Sequence, residues 1–236
     1  MKAVIRTIAA GLCAVALSVS AAGFSENFDS YTTGSSLHGQ GIWQGWDNTP
    51  SAGALVSSAF SLSSPNSANI TGASDLVGQF PGISGGLWSF TINQYVPSSS
   101  TGNSYFILMN KYTSGGVESD YNWSVQIQND MALGRVISDT GGGAFLPMVR
   151  NAWNTFRFDI NFGANSVSEY YNGTLLSTHA WHDGTGANAL AAIDLYANSA
   201  GPVYYDNLNI AVVPEPASLS LVALGGLLFA FRRKNR

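Results

Sequence analysis

The chain has 236 residues, with ten lysine and arginine residues against fourteen aspartate and glutamate residues and a net charge of −4 at neutral pH. Six of the basic residues lie near the two ends, so residues 23–211 hold four basic and thirteen acidic residues and carry a net charge of −9. A domain of this charge has no basic patch to neutralise phosphates, which excludes nucleic acid as a partner.

Residues 1–22 have the pattern of a secretory signal peptide. Lys2 and Arg6 precede an apolar segment, and Ser20-Ala21-Ala22 supplies small residues at the expected cleavage point. Cys13 is the single cysteine of the sequence and lies within this segment. The mature protein is therefore expected to have no thiol for catalysis and no disulfide.

Residues 23–211 are predicted to form one all-β domain, and this length is sufficient for a single hydrophobic core. Apolar and polar residues alternate in short runs separated by glycine, serine and asparagine. The clearest alternations are Trp88, Phe90 and Ile92; Trp123, Val125 and Ile127; and Phe156, Phe158 and Ile160. Asn172-Gly173 suits the two positive-φ positions of a hairpin turn. Together these patterns predict two packed antiparallel sheets.

Six segments of this domain resemble concanavalin A-like lectin/glucanase domains of secreted bacterial proteins. They are Phe24–Tyr31, Gly34–Gln40, Trp43–Trp46, Trp153–Ile160, Tyr171–Thr174 and Val203–Leu208. The resemblance implies an antiparallel two-sheet jelly-roll sandwich. It indicates a fold more than an activity, because this sandwich hosts lectins, hydrolases, lyases and inert spacers.

Sugar binding requires an aromatic platform and polar groups that fix the hydroxyls. Three tryptophans lie in predicted loops and are the candidate carbohydrate-binding residues: Trp43, Trp46 and Trp181. The tryptophans of the predicted strands are assigned to the core: Trp88, Trp123 and Trp153. The alternative for the loop tryptophans is that they cap one end of the sandwich without contacting a ligand.

A structural calcium ion is a further expectation from the resemblance. Many sugar-binding jelly rolls join their first and last strands through calcium, and here Glu26 or Asp29 would meet Asp206. The alternative is that Asp206 only accepts hydrogen bonds from neighbouring backbone. His179 and His182 are interpreted as surface histidines rather than metal ligands, because a loop between strands does not align them.

No complete catalytic motif occurs in the sequence, so the protein is not predicted to be an enzyme. Glucanases of this superfamily carry a Glu-x-Asp-x-x-Glu pattern on one strand, and Glu118-Ser119-Asp120 matches only its first part. Position 123 is tryptophan, and the segment follows a glycine-rich stretch. The acidic residues are therefore interpreted as a solvated turn.

The last 25 residues, 212–236, combine three features in order. Two prolines flank Glu215, an uncharged segment follows at 217–231, and four of the final five residues are basic. Fifteen residues span about 22 Å as a helix, whereas the core of a bilayer is about 30 Å thick. A single transmembrane helix is predicted at 217–231, and its short length suits a temporary anchor.

This tail resembles the PEP-CTERM sorting signal of Gram-negative bacteria, whose motif here is Val213, Pro214, Glu215 and Pro216. The resemblance implies processing by the membrane enzyme exosortase. It also implies an inner-membrane intermediate, followed by the cell surface, the outer envelope or the extracellular space. The alternative is a permanent C-terminal anchor that is never cut.

The sequence thus predicts an exported, non-catalytic protein that binds extracellular polysaccharide or is embedded in exopolysaccharide. A structural surface or biofilm protein without a discrete ligand is the first alternative. A polysaccharide-degrading glycosidase or lyase is the second alternative.

Overall fold

The structure is a computed structural model and describes residues 23–214. The predicted signal peptide, 1–22, and the predicted transmembrane segment, 217–231, lie outside the described residues. Within residues 23–214, no helix has the length and apolar character needed to cross a bilayer.

The described chain consists of β-strands with three short 3-10 turns. The strands are β1 Phe24–Glu26, β2 Trp43–Gly45, β3 Leu55–Ser57, β4 Ser67–Ile70, β5 Asp75–Ser84, β6 Leu87–Tyr95, β7 Asn103–Lys111, β8 Asn122–Asp130, β9 Arg135–Ser138, β10 Ala144–Pro147, β11 Trp153–Asn161, β12 Ser166–Tyr171, β13 Thr174–Ala180, β14 Ala189–Tyr196 and β15 Val203–Val212. The 3-10 turns are Trp46–Asn48, Pro50–Ala52 and Glu118–Asp120.

These strands form two antiparallel sheets. The first sheet has the order β13-β12-β11-β6-β15-β4-β3, and β1 also pairs with β15. The second sheet has the order β10-β9-β8-β7-β14-β5-β2. The protein is therefore an all-β sandwich, as the alternation of apolar and polar residues predicted.

The core lies between the inner faces of the two sheets. Phe90 and Phe158 from the first sheet pack on Phe106 of the second, with ring centroids 5.8 and 5.0 Å apart. All three side chains are fully buried. Every second residue of β6 and β11 faces this core, because successive side chains of a strand point to opposite faces.

The predicted hairpin connects β12 and β13. Asn172 and Gly173 have φ values of 50° and 77°, which are the two positive values that a type I′ turn requires. The Asn172 side chain also accepts a hydrogen bond from the backbone amide of Thr155 at 2.9 Å. The hairpin prediction is confirmed.

A β-bulge changes the orientation of one predicted core residue. Leu108 of β7 pairs with Val125, but the next residue, Met109, pairs with Trp123, so Ser124 is an extra residue in β8. Val125 therefore points into the core, whereas Trp123 points to the outer face and is 37% exposed. The assignment of Trp123 to the core was wrong for this reason. Trp153, at the start of β11, is half-buried on an outer face.

A buried ion pair joins the two strands of the β12–β13 hairpin at the edge of the core. Glu169 is an inward-facing residue of β12 with no exposed surface, and its Oε1 lies 2.9 Å from Nε2 of His179 on β13. Nδ1 of His179 lies 2.8 Å from the carbonyl oxygen of Ala180. Both ring nitrogens thus face oxygen atoms that can accept, which favours the protonated imidazole. Burial lowers the pKa of His179, but the hydrogen bonds to Glu169 and Ala180 outweigh it and raise the pKa above its usual value.

The first and last strands of the sandwich are paired. Phe24 lies opposite Ile210, and Glu26 lies opposite Leu208. Gly23 lies directly against the backbone of β15, since a Cβ atom at that position would lie 2.5 Å from the carbonyl oxygen of Ile210. The backbone therefore enters and leaves the fold at neighbouring points.

Candidate functional site

A pocket of about 360 Å³ opens on the outer face of the second sheet. Its lining comes from four neighbouring strands, β8, β7, β14 and β5, and from the turn at 46–48. The lining residues are Trp46, Asp75, Tyr105, Ile107, Trp123, Gln126, Asp194, Tyr196 and Asn198. The pocket thus combines four aromatic rings with two carboxyl groups.

The two carboxyl groups form a pair. The antiparallel register of β5 and β14 sets Asp75 opposite Tyr196 and Asp194 opposite Val77, so both aspartates lie on the pocket face. The two carboxyl groups are close enough to affect each other's pKa, and a hydrogen bond between them requires that one of them carries a proton.

Burial favours the protonated form of Asp194, which is 3% exposed. Burial and then the negative charge of Asp75 raise the pKa of Asp194 well above its usual value. Burial also raises the pKa of Asp75, but there the hydrogen bond from Asp194 acts in the opposite direction. The arrangement therefore favours one negative charge on the pair, carried mainly by the more exposed Asp75.

Aromatic rings line the pocket around this pair. Tyr105 and Tyr196 lie opposite each other on β7 and β14, and their rings stack with centroids 6.0 Å apart. Trp46 packs edge-on against Tyr112 at 5.1 Å and contacts Tyr121 at 4.8 Å. The rings are held by neighbouring aromatic side chains rather than left free to rotate.

Asp47 fixes the turn that carries Trp46. Its Oδ1 accepts hydrogen bonds from the Tyr121 hydroxyl at 2.7 Å and from the Gly115 amide at 3.0 Å. Its own amide donates to the Tyr112 hydroxyl at 3.0 Å. Asp47 has a φ of 51°, a conformation that aspartate tolerates better than most residues. This network joins the 46–48 turn to the segment that precedes β8.

The bulge in β8 completes the pocket. In a regular strand without a bulge, Trp123 and Val125 are two residues apart and would both point into the core. With the bulge, Trp123 joins the outer face and contacts Tyr121 at 6.5 Å between ring centroids. Bulges are common beside functional sites, where they re-aim a side chain.

Of the three predicted sugar-binding tryptophans, the structure places only Trp46 at this pocket. Trp43 is 2% exposed and packs on Phe28, with ring centroids 5.4 Å apart. Trp181 has no exposed surface, contacts Phe162 at 5.4 Å and donates its indole hydrogen to the carbonyl oxygen of Ala189. Trp43 and Trp181 therefore present no face to a ligand in this structure.

The predicted calcium ligands are occupied by protein donors. Glu26 accepts from the Phe28 amide at 2.8 Å and from the Tyr31 hydroxyl at 2.6 Å. Asp29 accepts from the Asn66 amide at 2.9 Å.

Asp206, the third predicted ligand, is fully buried and holds the loop that contains Leu62 and Ser63 against β15. It accepts from both of their amides, at 2.7 and 2.9 Å, and from the Asn207 amide at 2.7 Å. Among residues 23–214, no three histidine, cysteine or acidic side chains are grouped as metal ligands. The three carboxyl groups therefore do not converge, and Asp206 accepts hydrogen bonds from backbone as in the alternative interpretation.

We expect a chelator to leave the melting temperature unchanged, because hydrogen bonds already satisfy the oxygens of Glu26, Asp29 and Asp206. The measurement compares thermal unfolding in excess EDTA with unfolding in millimolar calcium. A rise of several degrees on adding calcium would restore the calcium site, because a ligand that binds only the folded state raises its stability.

The remaining polar candidates have structural roles. Glu118–Asp120 forms a 3-10 turn outside the pocket, and Asp120 lies 3.7 Å from Lys111. His179 pairs with Glu169, whereas Nδ1 of His182 accepts from the Gly184 amide at 3.0 Å. The two histidines therefore do not share a ligand.

Sequence patterns missed the carboxyl pair. Asp194 interrupts an apolar run between Ile193 and Leu195, and an acidic residue within such a run is a signal of a buried charge. Asp75 follows a turn and carries no such signal. Only the pairing of β5 with β14 brings the two residues together.

Comparison with family models identifies the C-terminal tail. Residues 212–234 match the model described as the PEP-CTERM protein-sorting motif. Proteins with this motif are exported, sorted to the cell surface and processed by exosortase, and this chain is an exported, surface-sorted protein in that sense. Val213 and Pro214 follow β15 and are exposed, whereas Glu215 and Pro216 lie outside the described residues. The comparison with curated proteins gives no match.

Solved structures share the fold at low sequence identity. A sialidase has a TM-score of 0.55 and 8% identity, over 82% of this chain and 19% of its own. The catalytic domain of a glycoside hydrolase family 131 protein from Coprinopsis cinerea has a TM-score of 0.51 and 13% identity, over 80% and 93%. An endo-β-1,4-glucuronan lyase from Trichoderma reesei has a TM-score of 0.50 and 12% identity, over 78% of this chain and 96% of its own. These likenesses show that the body shares a β-sandwich fold with these proteins.

Proposed function

We propose that the exported protein binds an extracellular polysaccharide in the pocket on its second sheet and does not cleave it. The observation that carries the proposal is the combination of partly exposed aromatic rings, Trp46 and Trp123, with the carboxyl pair Asp75 and Asp194. Aromatic faces stack on the apolar faces of sugar rings, and carboxyl oxygens accept hydrogen bonds from sugar hydroxyls. The volume of about 360 Å³ is that of a small-ligand site.

Further polar groups support binding of a hydroxylated ligand. Gln126 and Asn198 also line the pocket, and each offers an amide donor and a carbonyl acceptor. They lie on β8 and just after β14, so polar groups surround the carboxyl pair from two directions. Such a set can fix several hydroxyl positions at once.

The geometry of the carboxyl pair argues against glycoside hydrolysis. Retaining glycosidases separate their two carboxyl groups by about 5 Å, and inverting glycosidases separate them by more, because a sugar or a water must fit between them. Asp75 and Asp194 instead interact directly with each other on adjacent strands, rather than facing each other across a cleft.

The named activities of two structural neighbours give fold-level support for a carbohydrate ligand. One is named as a glycoside hydrolase and one as a glucuronan lyase. A surface-sorted protein also meets extracellular polysaccharide where it is delivered.

We expect Trp123→Ala to weaken glycan binding about tenfold, because loss of one stacking ring costs about 1.4 kcal/mol. The measurement is a titration of the full chain in mild detergent with surface polysaccharide fractions, followed by calorimetry. Trp153→Ala is the matched control, since Trp153 is half-buried on the outer face of the opposite sheet. Equal affinities of both variants, or no heat with any fraction, would contradict binding at this pocket.

A further inference from the structure

The last strand of the sandwich is held on both sides almost to the sorting motif. Ile210 of β15 pairs with Phe24 of β1 on one side and with Phe90 of β6 on the other. The amide of Val213 then donates a hydrogen bond to the carbonyl oxygen of Leu87 at 2.8 Å. Pulling this end of the strand away would break backbone hydrogen bonds to both neighbours and expose the buried side chain of Ile210. A processing enzyme can therefore use only the chain beyond Val213 unless the sandwich opens.

The connection between the fold and the predicted transmembrane segment is short. Residues 214–216 separate Val213 from Ala217, where the uncharged segment begins. Even a fully extended chain covers only about 14 Å between these two residues. A single α-helix with its side chains is already about 10–12 Å across. An enzyme that holds the sorting motif at the membrane must therefore lie directly against the end of the sandwich from which the tail leaves.

Three loops surround the point where the tail leaves, and together they form a surface that we call the tail end. They are residues 84–86, 162–165 and 181–188. The amide of Phe162 donates to the carbonyl oxygen of Gly86 at 3.1 Å. The amide of Trp181 donates to the carbonyl oxygen of Asn165 at 3.1 Å, and the amide of His182 donates to the Asn165 side chain at 3.0 Å. The loops therefore brace one another and present a formed surface.

The composition of the tail end suits a protein partner better than lipid. Residues 84–86, 163–164 and 183–188 are exposed, and five of these eleven residues are glycine, which permits close approach of another backbone. Asp183 is the only charged residue among them. The two large aromatic side chains of the loops, Phe162 and Trp181, are buried. Surfaces that bind lipid use basic or exposed aromatic side chains, and these loops offer neither.

We propose that exosortase contacts the tail end of the sandwich while it holds the sorting motif, so that processing depends on the folded domain as well as on the tail. The proposal is based on the short connection after Val213 and is independent of the proposed glycan site. A bulky charged side chain placed on the tail end would lie in this contact without a matching partner and would slow processing.

The test places matched substitutions at the two ends of the sandwich, in the full chain and in cells that contain exosortase. Ala164→Arg with Ala187→Arg changes exposed residues of the tail end. Ser98→Arg with Ser99→Arg adds the same charge to the exposed loop between β6 and β7, at the opposite end. A pulse-chase measurement follows conversion of the full-length form to the processed form. We expect the tail-end variant to be processed at least about tenfold more slowly and the opposite-end variant to be processed like wild type.

Two further variants distinguish a protein contact from other causes. A glycine-serine linker of about six residues between Val213 and Pro214 adds up to about 20 Å and should restore processing of the arginine variant. Ala164→Glu with Ala187→Glu should slow processing as much as the arginine pair does, because either side chain obstructs a protein. Thermal unfolding of the purified variants checks that these exposed substitutions leave the fold intact.

Opposite effects of the arginine and glutamate pairs would indicate that the tail end lies on charged lipid and would overturn the proposal. Wild-type processing rates in both tail-end variants would also overturn it. Equal slowing by the substitutions at the two ends, or slow processing that the linker does not restore in a folded variant, would show that contact at the tail end is not the cause.

Discussion

Replacing His179 by alanine should lower the free energy of unfolding by about 3–5 kcal/mol at pH 6. The substitution leaves the carboxylate of Glu169 fully buried without its partner, and its second oxygen already lacks a hydrogen bond within residues 23–214. Breaking a buried pair in this way costs much more than breaking a surface pair. For a domain of this size the melting temperature should fall by about 10 °C.

The stability lost in His179→Ala should depend on pH, and the ion pair determines the direction of that dependence. The pKa of His179 is raised in the folded state, so its contribution is fully present below the unfolded value of about 6.5 and is lost as the pH rises through the folded value. The wild-type protein should therefore become less stable from about pH 6.5 upward, and the difference from His179→Ala should narrow. Thermal unfolding at pH 6, 7.5 and 9 measures this.

Two variants separate the pair from the loss of side-chain volume. His182→Ala removes a histidine without a carboxylate partner and should cost less than about 1 kcal/mol. The double variant His179→Ala with Glu169→Gln removes the unpaired charge and should recover part of the lost stability. If His179→Ala and the double variant melt at the same temperature, the ion pair is not what stabilises this corner of the core.

The second large expected effect is an increase in stability rather than a loss. Asp194→Asn should stabilise the folded protein at neutral pH by about 2 kcal/mol, raising the melting temperature by about 4–8 °C. Burial raises the pKa of Asp194, so the folded state favours the protonated form. The contribution of this group is fully present below the unfolded pKa of about 3.9 and is lost as the pH rises through the folded value. Asparagine is neutral at every pH and avoids that loss.

The melting temperatures of wild type and Asp194→Asn should thus coincide near pH 4 and separate toward pH 8. Asp183→Asn is the control, because it removes an exposed carboxylate and should not reproduce the separation. A variant that is more stable yet binds surface polysaccharide more weakly would show that Asp194 is kept at a cost in stability for the sake of binding. A destabilised Asp194→Asn at pH 8 would refute this account of the pair.

Local patterns predicted the parts of the fold that depend on neighbouring residues. Alternation at Phe90 and Phe158 identified inward-facing positions, because side chains on a strand alternate with a period of two. Asn172-Gly173 identified its hairpin because few other residues adopt two successive positive φ values. Each alternating run, and the hairpin turn, is contained within ten residues of sequence.

The residues of the pocket could not be predicted from local patterns, because strand pairing between distant segments brings them together. Trp123 reached the pocket through a bulge that only the pairing of β8 with β7 defines. Trp43, predicted as a loop residue, begins an edge strand and lies under other elements. Asp194 could have been suspected from its place in an apolar run, but nothing near Asp75 pointed to it. The sequence therefore predicted the sandwich well and only one pocket residue, Trp46.

The direction of β15 determines which end of the sandwich lies far from the C-terminal tail. Strand β15 starts at Val203, shortly after the pocket residue Asn198, and ends at Val212, next to the strand that opens the fold. Ten extended residues cover about 30 Å. A chain tethered by the segment that follows residue 214 would hold the Val203 end of β15, and the pocket residue Asn198 near it, away from the point of attachment. The ligand could then be captured while the protein is still attached.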